Sequence, residues 1–291
     1  MEPNPGARLS RFERAQKTER GKLWLMERDE LLLTELFVHQ VMSRGQLQEL
    51  YFGSVPRCNA RLRKLFDHGY VTRDFHPMAP YGTQGIYRIG PQAMTIVAQR
   101  LDMDAAYVKQ LCLGTRRLEF LEHTLEIVDF YLAARNALVG EENPHLESWM
   151  PELQVRHEYE VKLPSGKRQK QVFKPDGFLR FDHGGRLYSH FVEIDRGNAS
   201  GKLFGQKVEH YQHYLSSGLF EEMYEDATFR VLVVTTGERR LTHLRALVQE
   251  RGGSVFWFTT RALLTQQGLL APIWQPADRE GLFSLQNKDQ G

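Results

Sequence analysis

Apolar residues in the first hundred positions recur at helical spacing. Leu32, Leu33, Leu36 and Phe37 share one face of a helix that begins near Glu27, and Asp29 and Glu30 suit its first turn. Ser43 followed three residues later by Gln46 is the pattern of a capping box, which opens a second short helix ending near Phe52. Gly53-Ser-Val-Pro reads as a turn. A third helix is predicted over 57–68, with Leu62, Leu65 and Phe66 inward and Gly69 at its stop. Val71–Phe75 and Gly85–Ile89 read as two short strands of a hairpin, and a further helix runs from Pro91 to about Leu101.

After a connector at 102–115, the apolar stripe Leu118, Leu121, Leu125, Val128 and Leu132 predicts one long helix. The period then becomes two. Val155–Leu163, Gln171–Phe181 and Leu187–Ile194 read as three consecutive antiparallel strands, separated by Pro164-Ser165-Gly166 and His183-Gly184-Gly185. A helix over Ala199–Leu215 follows, then a strand at Arg230–Thr235, a helix over Leu241–Glu250, a strand at Ser254–Phe258 and a polar tail. The expected fold class is α/β in the α+β sense. Three helices and a hairpin make a winged helix-turn-helix over 25–101, and a mixed sheet with helices on its faces fills 116–275, its last two strands parallel. Residues 1–24 are expected to be a mobile basic arm and 276–291 a tail.

Composition narrows the class. The 291 residues are 41% hydrophobic and 25% charged, which excludes wholesale disorder and fibrous repeats. No apolar run reaches the ~20 residues of a membrane helix, and the N-terminus lacks the apolar core of a secretory signal. Two cysteines, Cys58 and Cys112, make neither a disulfide framework nor a cysteine-rich zinc site, so a reducing cytoplasm is the expected compartment. The net charge of +2 hides an asymmetry, since residues 1–100 carry 15 Lys/Arg against 10 Asp/Glu. A basic front half places the expected polyanion contact there.

That contact is expected on the third helix. Arg57, Asn59, Arg61, Arg63 and Lys64 lie on or just before it, away from its apolar face. Arg and Asn reach guanine and adenine edges, and Lys and Arg neutralise phosphate. Tyr81 and Gln84, with His76, suit the hairpin tip as it meets a flanking groove. The competing reading is a solvated charged face on a module that docks another protein.

The second half carries the candidate chemistry. Asp176 follows Pro175 in the second predicted strand, and Glu193 and Asp195 project together from the third because residues two apart share a face. Three converging carboxylates suit a hard divalent ion, Mg²⁺ or Mn²⁺, which polarises a phosphodiester and acidifies water. The competing reading is an ion-pair network between these acids, Arg196 and Lys207 that holds sheet to helix.

Pro-Asp on one strand and Glu-x-Lys on the next, after an initial helix, is the signature of PD-(D/E)xK nucleases, which this half resembles. The chain departs from it at Asp195, where the signature has lysine, and Lys207 or Lys202 on the following helix is placed to substitute. Taken whole, residues 25–260 resemble the replication-relaxation family of plasmid and mobile-element proteins. The matching pieces are Arg61-Leu-Arg-Lys-Leu-Phe-Asp-His-Gly-Tyr, Tyr87-Arg-Ile-Gly-Pro, Pro175-Asp176 and Glu193-Ile-Asp-Arg-Gly, with Lys207 and Tyr211 beyond. The resemblance implies a double-stranded DNA partner and a role in replication, mobilisation or regulation. It leaves two alternatives: a nuclease-like domain that has lost cleavage, or a Mg²⁺/Mn²⁺ endonuclease acting through Asp176, Glu193, Asp195 and Lys207. A homodimer through that domain stays open, and no membrane partner is expected.

Other signals are weaker. His210, His213 and Tyr214 fall in a helical segment and read as surface residues, unlike the alternating histidines of a rolling-circle nickase strand. Trp149, Trp257 and Trp274 read as core or hinge aromatics. There is no phosphate-binding Gly-x-x-x-x-Gly-Lys-Ser/Thr loop.

Overall fold

The computed structural model describes residues 23–75, 85–113, 120–140, 142–162, 166 and 168–286, which group into two compact units divided between Val128 and Asp129. The expectations for the N-terminal arm, for His76, Tyr81 and Gln84, and for Leu118 lie outside the described residues.

The first unit opens with helix α1 (Glu27–His39), which buries Leu32, Leu33 and Leu36. Strand β1 (Met42–Ser43) leads into helix α2 (Arg44–Tyr51) through the capping box, with Ser43 Oγ accepting from Gln46 N–H and Gln46 Oε1 from Ser43 N–H. Helix α3 (Val55–Asp67) begins two residues earlier than its periodicity indicates, because Pro56 is tolerated in a first turn. It buries Cys58, Leu62, Leu65 and Phe66. Gly69 then takes φ +77°, the left-handed turn that lets the chain reverse into strand β2 (Val71–Phe75). Strands β1, β3 (Gly85–Ile89) and β2 form an antiparallel sheet in that order. Helix α4 (Met94–Arg100) follows. The stretch read as a connector holds helix α5 (Ala105–Leu113), started by Asp104, whose carboxylate accepts from Tyr107 N–H at 2.9 Å. The N-terminal turns of helix α6 (Leu121–Leu138) bury Leu121 and Leu125 against Val41 and Ile86. Gln46 Nε2 donates to Leu125 O at 2.8 Å.

The second unit is built on a six-stranded mixed sheet. Its order is β11 (Gln275–Pro276), β10 (Phe256–Thr260), β9 (Arg230–Thr235), β8 (Arg186–Ile194), β7 (Gly177–His183) and β4 (His145–Pro151). Strands β8, β9 and β10 run parallel; β4, β7 and β11 pair antiparallel to their neighbours. Four-residue helix α7 (Glu152–Val155) precedes strand β5 (His157–Lys162). Helices α8 (Gly201–Ser216), α9 (Leu219–Tyr224) and α10 (Glu238–Glu250) cover one face through Tyr211, Tyr214, Phe220, Leu241 and Leu244, which pack with Phe191, Val231, Val233 and Phe258.

Three expectations are corrected here. The strand read over Gln171–Phe181 is two strands in different sheets. Its first part is β6 (Arg168–Phe173), which pairs with β5 as a separate ribbon; its second part is β7. Pro175 has no N–H to continue a ladder, so the chain breaks there and the second strand begins at Gly177. Edge strand β4 is missing from the expected set because its register shifts between Leu146 and Ser148, which spoils the period-two signal. The segment beyond Phe258 is packed chain rather than a tail: helix α11 (Arg261–Gln267) is capped by the Thr260 hydroxyl, and Trp274 is fully buried.

Candidate functional site

On α3, the five polar residues singled out in the sequence divide into two groups. Arg57, Asn59 and Lys64 are exposed. Arg61 is turned inward: its Nε donates to Asp29 Oδ1 at 2.8 Å, its Nη2 to Asp29 Oδ2 and, at 2.8 Å, to Trp24 O. Arg63 lies along its own helix, with Nη2 2.8 Å from Asp67 Oδ1. Arg61 thus ties α3 to α1, Arg63 is paired within its own helix, and the three others present donors to solvent. The apolar side of α3 makes this possible, since burying Leu62, Leu65 and Phe66 forces residues 57, 60 and 64 onto the opposite stripe.

In the second unit, Asp176 sits in the link before β7 rather than within a strand. Its N–H donates to Val192 O at 3.0 Å, and its Oδ2 accepts from Ile194 N–H at 2.8 Å. Gly177, next in the chain, has no room for a side chain: a Cβ there would stand 2.5 Å from the Trp149 ring. Asp176 is thereby pinned to the end of β8, beside Glu193.

Glu193 and Asp195 project toward the same, helix-covered face of the sheet. Glu193 is 2% exposed and meets α8. Tyr211 OH donates to its Oε1 at 2.6 Å, and Lys207 Nζ donates to its Oε2. Burial pushes Glu193 up to about 7, against the pull of the Lys207 ammonium and with a further push from the Asp176 charge. Burial works against the Lys207 charge, but the Glu193 and Asp176 carboxylates outweigh it and raise its pKa, so the ammonium is retained. The Lys207 side chain remains 39% exposed, which makes it the solvent-facing member of the cluster. Lys202, the other lysine considered, is exposed on the same helix.

Asp195 is engaged differently. Arg240 on α10 holds it with two hydrogen bonds of 2.8 Å, Nε to Oδ2 and Nη2 to Oδ1, and Gly197 N–H adds a third at 3.2 Å. This partner lies 45 residues away in the chain, and no local spacing announces it. The structure thus gathers Asp176, Glu193 and Lys207, adds Tyr211, and ties Asp195 to an arginine. In this arrangement two of the three acids are engaged by cations. Both oxygens of Asp195 face a guanidinium, Glu193 carries an ammonium, and among the described residues no three His, Cys, Asp or Glu side chains are placed to hold a metal.

The residues set aside in the sequence also fall into place. His210 and His213 are exposed, but Tyr214 is a core residue stacked 3.9 Å from the Phe173 ring. Trp257 and Trp274 are buried.

The chain is therefore a mixed α/β protein that carries a helix with outward basic residues in one unit and a lysine-capped acidic cluster in the other. Residues 33–229, more than half its length, match the model of the replication-relaxation family, and the chain belongs to that family. A search among curated proteins finds no match. Among the described residues no helix is long and apolar enough to cross a membrane.

Proposed function

We propose that this protein binds double-stranded DNA through a winged-helix first unit, in the service of plasmid or mobile-element replication, mobilisation or regulation. Its second unit is a PD-(D/E)xK-like framework whose acids serve as structural ion pairs. The observation that carries the reading is the sorting of charges on α3. Arg61 and Arg63 are engaged by Asp29 and Asp67, while Arg57, Asn59 and Lys64 are exposed, Arg57 and Lys64 on one stripe of the helix. Arg57 and Lys64, two helical turns apart, supply two phosphate contacts, and Asn59, elsewhere on the exposed surface of the helix, supplies an adenine-reading amide. The test is a titration of the full chain against labelled duplex DNA over a salt series. Arg57→Ala with Lys64→Ala is expected to weaken binding and to flatten the salt dependence by about one neutralised phosphate per cation removed, with unchanged melting temperature. Undiminished binding by that variant would refute the assignment.

The second reading is a Mg²⁺- or Mn²⁺-dependent endonuclease. It is favoured by the placement of Asp176, Glu193 and Lys207 side by side, with the lysine arriving from α8 instead of from the strand. Incubation with supercoiled plasmid and either ion separates the two readings. The first expects no cleavage above background; nicking that Asp176→Ala and Glu193→Ala both abolish would establish the second.

A further inference from the structure

The second unit, acidic in sum, contains a run of cations. Residues 156–174 carry six Lys/Arg against two Glu, a net of +4, while the remaining residues from 129 to 291 sum to −5. Strands β5 and β6 lie within this segment. Among the described residues its two strands pair only with each other, so it stands apart from the six-stranded sheet.

The ribbon has two unlike faces. One is rooted in the core: the rings of His157, Tyr159 and Phe173 lie 5.2, 5.7 and 3.9 Å from that of Tyr214. The other turns Glu158, Glu160, Arg168, Lys170 and Val172 to solvent, and Arg156 and Lys174 are exposed at its base. Two ion pairs occupy part of this charge, Arg168 Nη1 to Glu160 Oε2 and Lys174 Nζ to Glu152 Oε1, each at 3.3 Å. Surface pairs of this kind are worth about 0–1 kcal/mol, so a phosphate can replace the carboxylate at little cost. A two-stranded ribbon is also one of the few elements the major groove, about 12 Å wide, admits. β6 leads through Lys174 and Pro175 directly to Asp176, so Lys170 lies within about 20 Å of the acidic cluster.

We propose that the β5–β6 ribbon is a second contact to duplex DNA, made by Arg156, Arg168, Lys170 and Lys174 with the phosphate backbone. The inference rests on the reading of the protein as a duplex-DNA binder and extends it to the unit that bears the acidic cluster.

The test uses the full chain and a labelled duplex oligonucleotide, with affinity measured across a KCl series. Arg168→Ala with Lys170→Ala is expected to make the dependence of log K on log salt shallower by about 0.9 for each phosphate no longer neutralised, and to weaken binding, without moving the melting temperature. The charge-preserving variant Arg168→Lys with Lys170→Arg is expected to keep the wild-type slope. Wild-type slope and affinity in the double alanine variant would overturn the ribbon contact, as would an equal weakening in the charge-preserving one. Arg57→Ala with Lys64→Ala, run in parallel, separates the two claims. Weakening there alone retains the first-unit reading and discards the ribbon, whereas a wild-type chain that binds no duplex discards both.

Discussion

Asp29 has no solvent exposure, and the Arg61 guanidinium meets both of its oxygens. Removing the arginine strands a buried carboxylate, and breaking such a pair costs about 3–5 kcal/mol. Arg61→Ala is therefore expected to lower stability by that amount in urea or thermal unfolding, whereas Arg57→Ala stays within about 0.5 kcal/mol of wild type. Equal stability of the two variants would contradict the division of α3 into anchoring and outward residues. This is also where sequence reasoning falls short. It recognises that α3 is basic, but not which of its cations are internal, because Asp29 lies 32 residues away and carries no mark of burial in a first turn that favours acids anyway.

Two buried groups give stability a pH dependence of opposite sign. Burial, with the neighbouring Arg230 charge, holds His190 down at about 3 from an ordinary 6.5. The unfolded chain takes up a proton in that window that the fold refuses, so stability is lost as pH falls from 6.5 toward 3. Glu193 is raised from 4.5 to about 7, so its contribution falls as pH rises through that range. The two oppose each other between pH 4.5 and 6.5, and below 4.5 His190 acts without this opposition. Its ring lies parallel to Phe181 at 5.4 Å, so phenylalanine suits the site. His190→Phe is expected to show a smaller fall in melting temperature between about pH 4.5 and pH 3 than wild type. A fall as steep as in wild type would remove His190 from the account.

At the scale of elements, what is legible follows from local chemistry. The capping box at Ser43 and Gln46, the apolar faces of α1 and α3, and the alternation that sends Glu193 and Asp195 to one side are all short-range patterns, and all are present. What is illegible depends on partners distant in sequence. Gln171–Phe181 reads as one strand by period, yet its two parts join different sheets because Pro175 interrupts the ladder and Gly177 lets the Trp149 ring approach. The candidate site divides in the same way. Asp176, Glu193, Lys207 and Tyr211 are visible as motif residues, whereas Arg240, which decides the state of Asp195, belongs to no motif.

At the scale of the whole molecule, charge is distributed by element rather than by half. The first unit concentrates outward donors on α3, and the second unit, acidic elsewhere, concentrates cations on β5–β6. Its carboxylates at the ends of β7 and β8 are met by Lys207 and Arg240, which reach them from the helices. For this member of the replication-relaxation family, the proposed duplex contact draws on separate cationic elements. The most direct measurement is equilibrium binding of labelled duplex DNA by the full chain, wild type against Arg57→Ala with Lys64→Ala, at several salt concentrations. The account predicts wild-type affinity that falls steeply with salt, and a variant that binds more weakly with a slope shallower by about 1.8, the equivalent of two phosphates. Superimposable curves for the two proteins would contradict it.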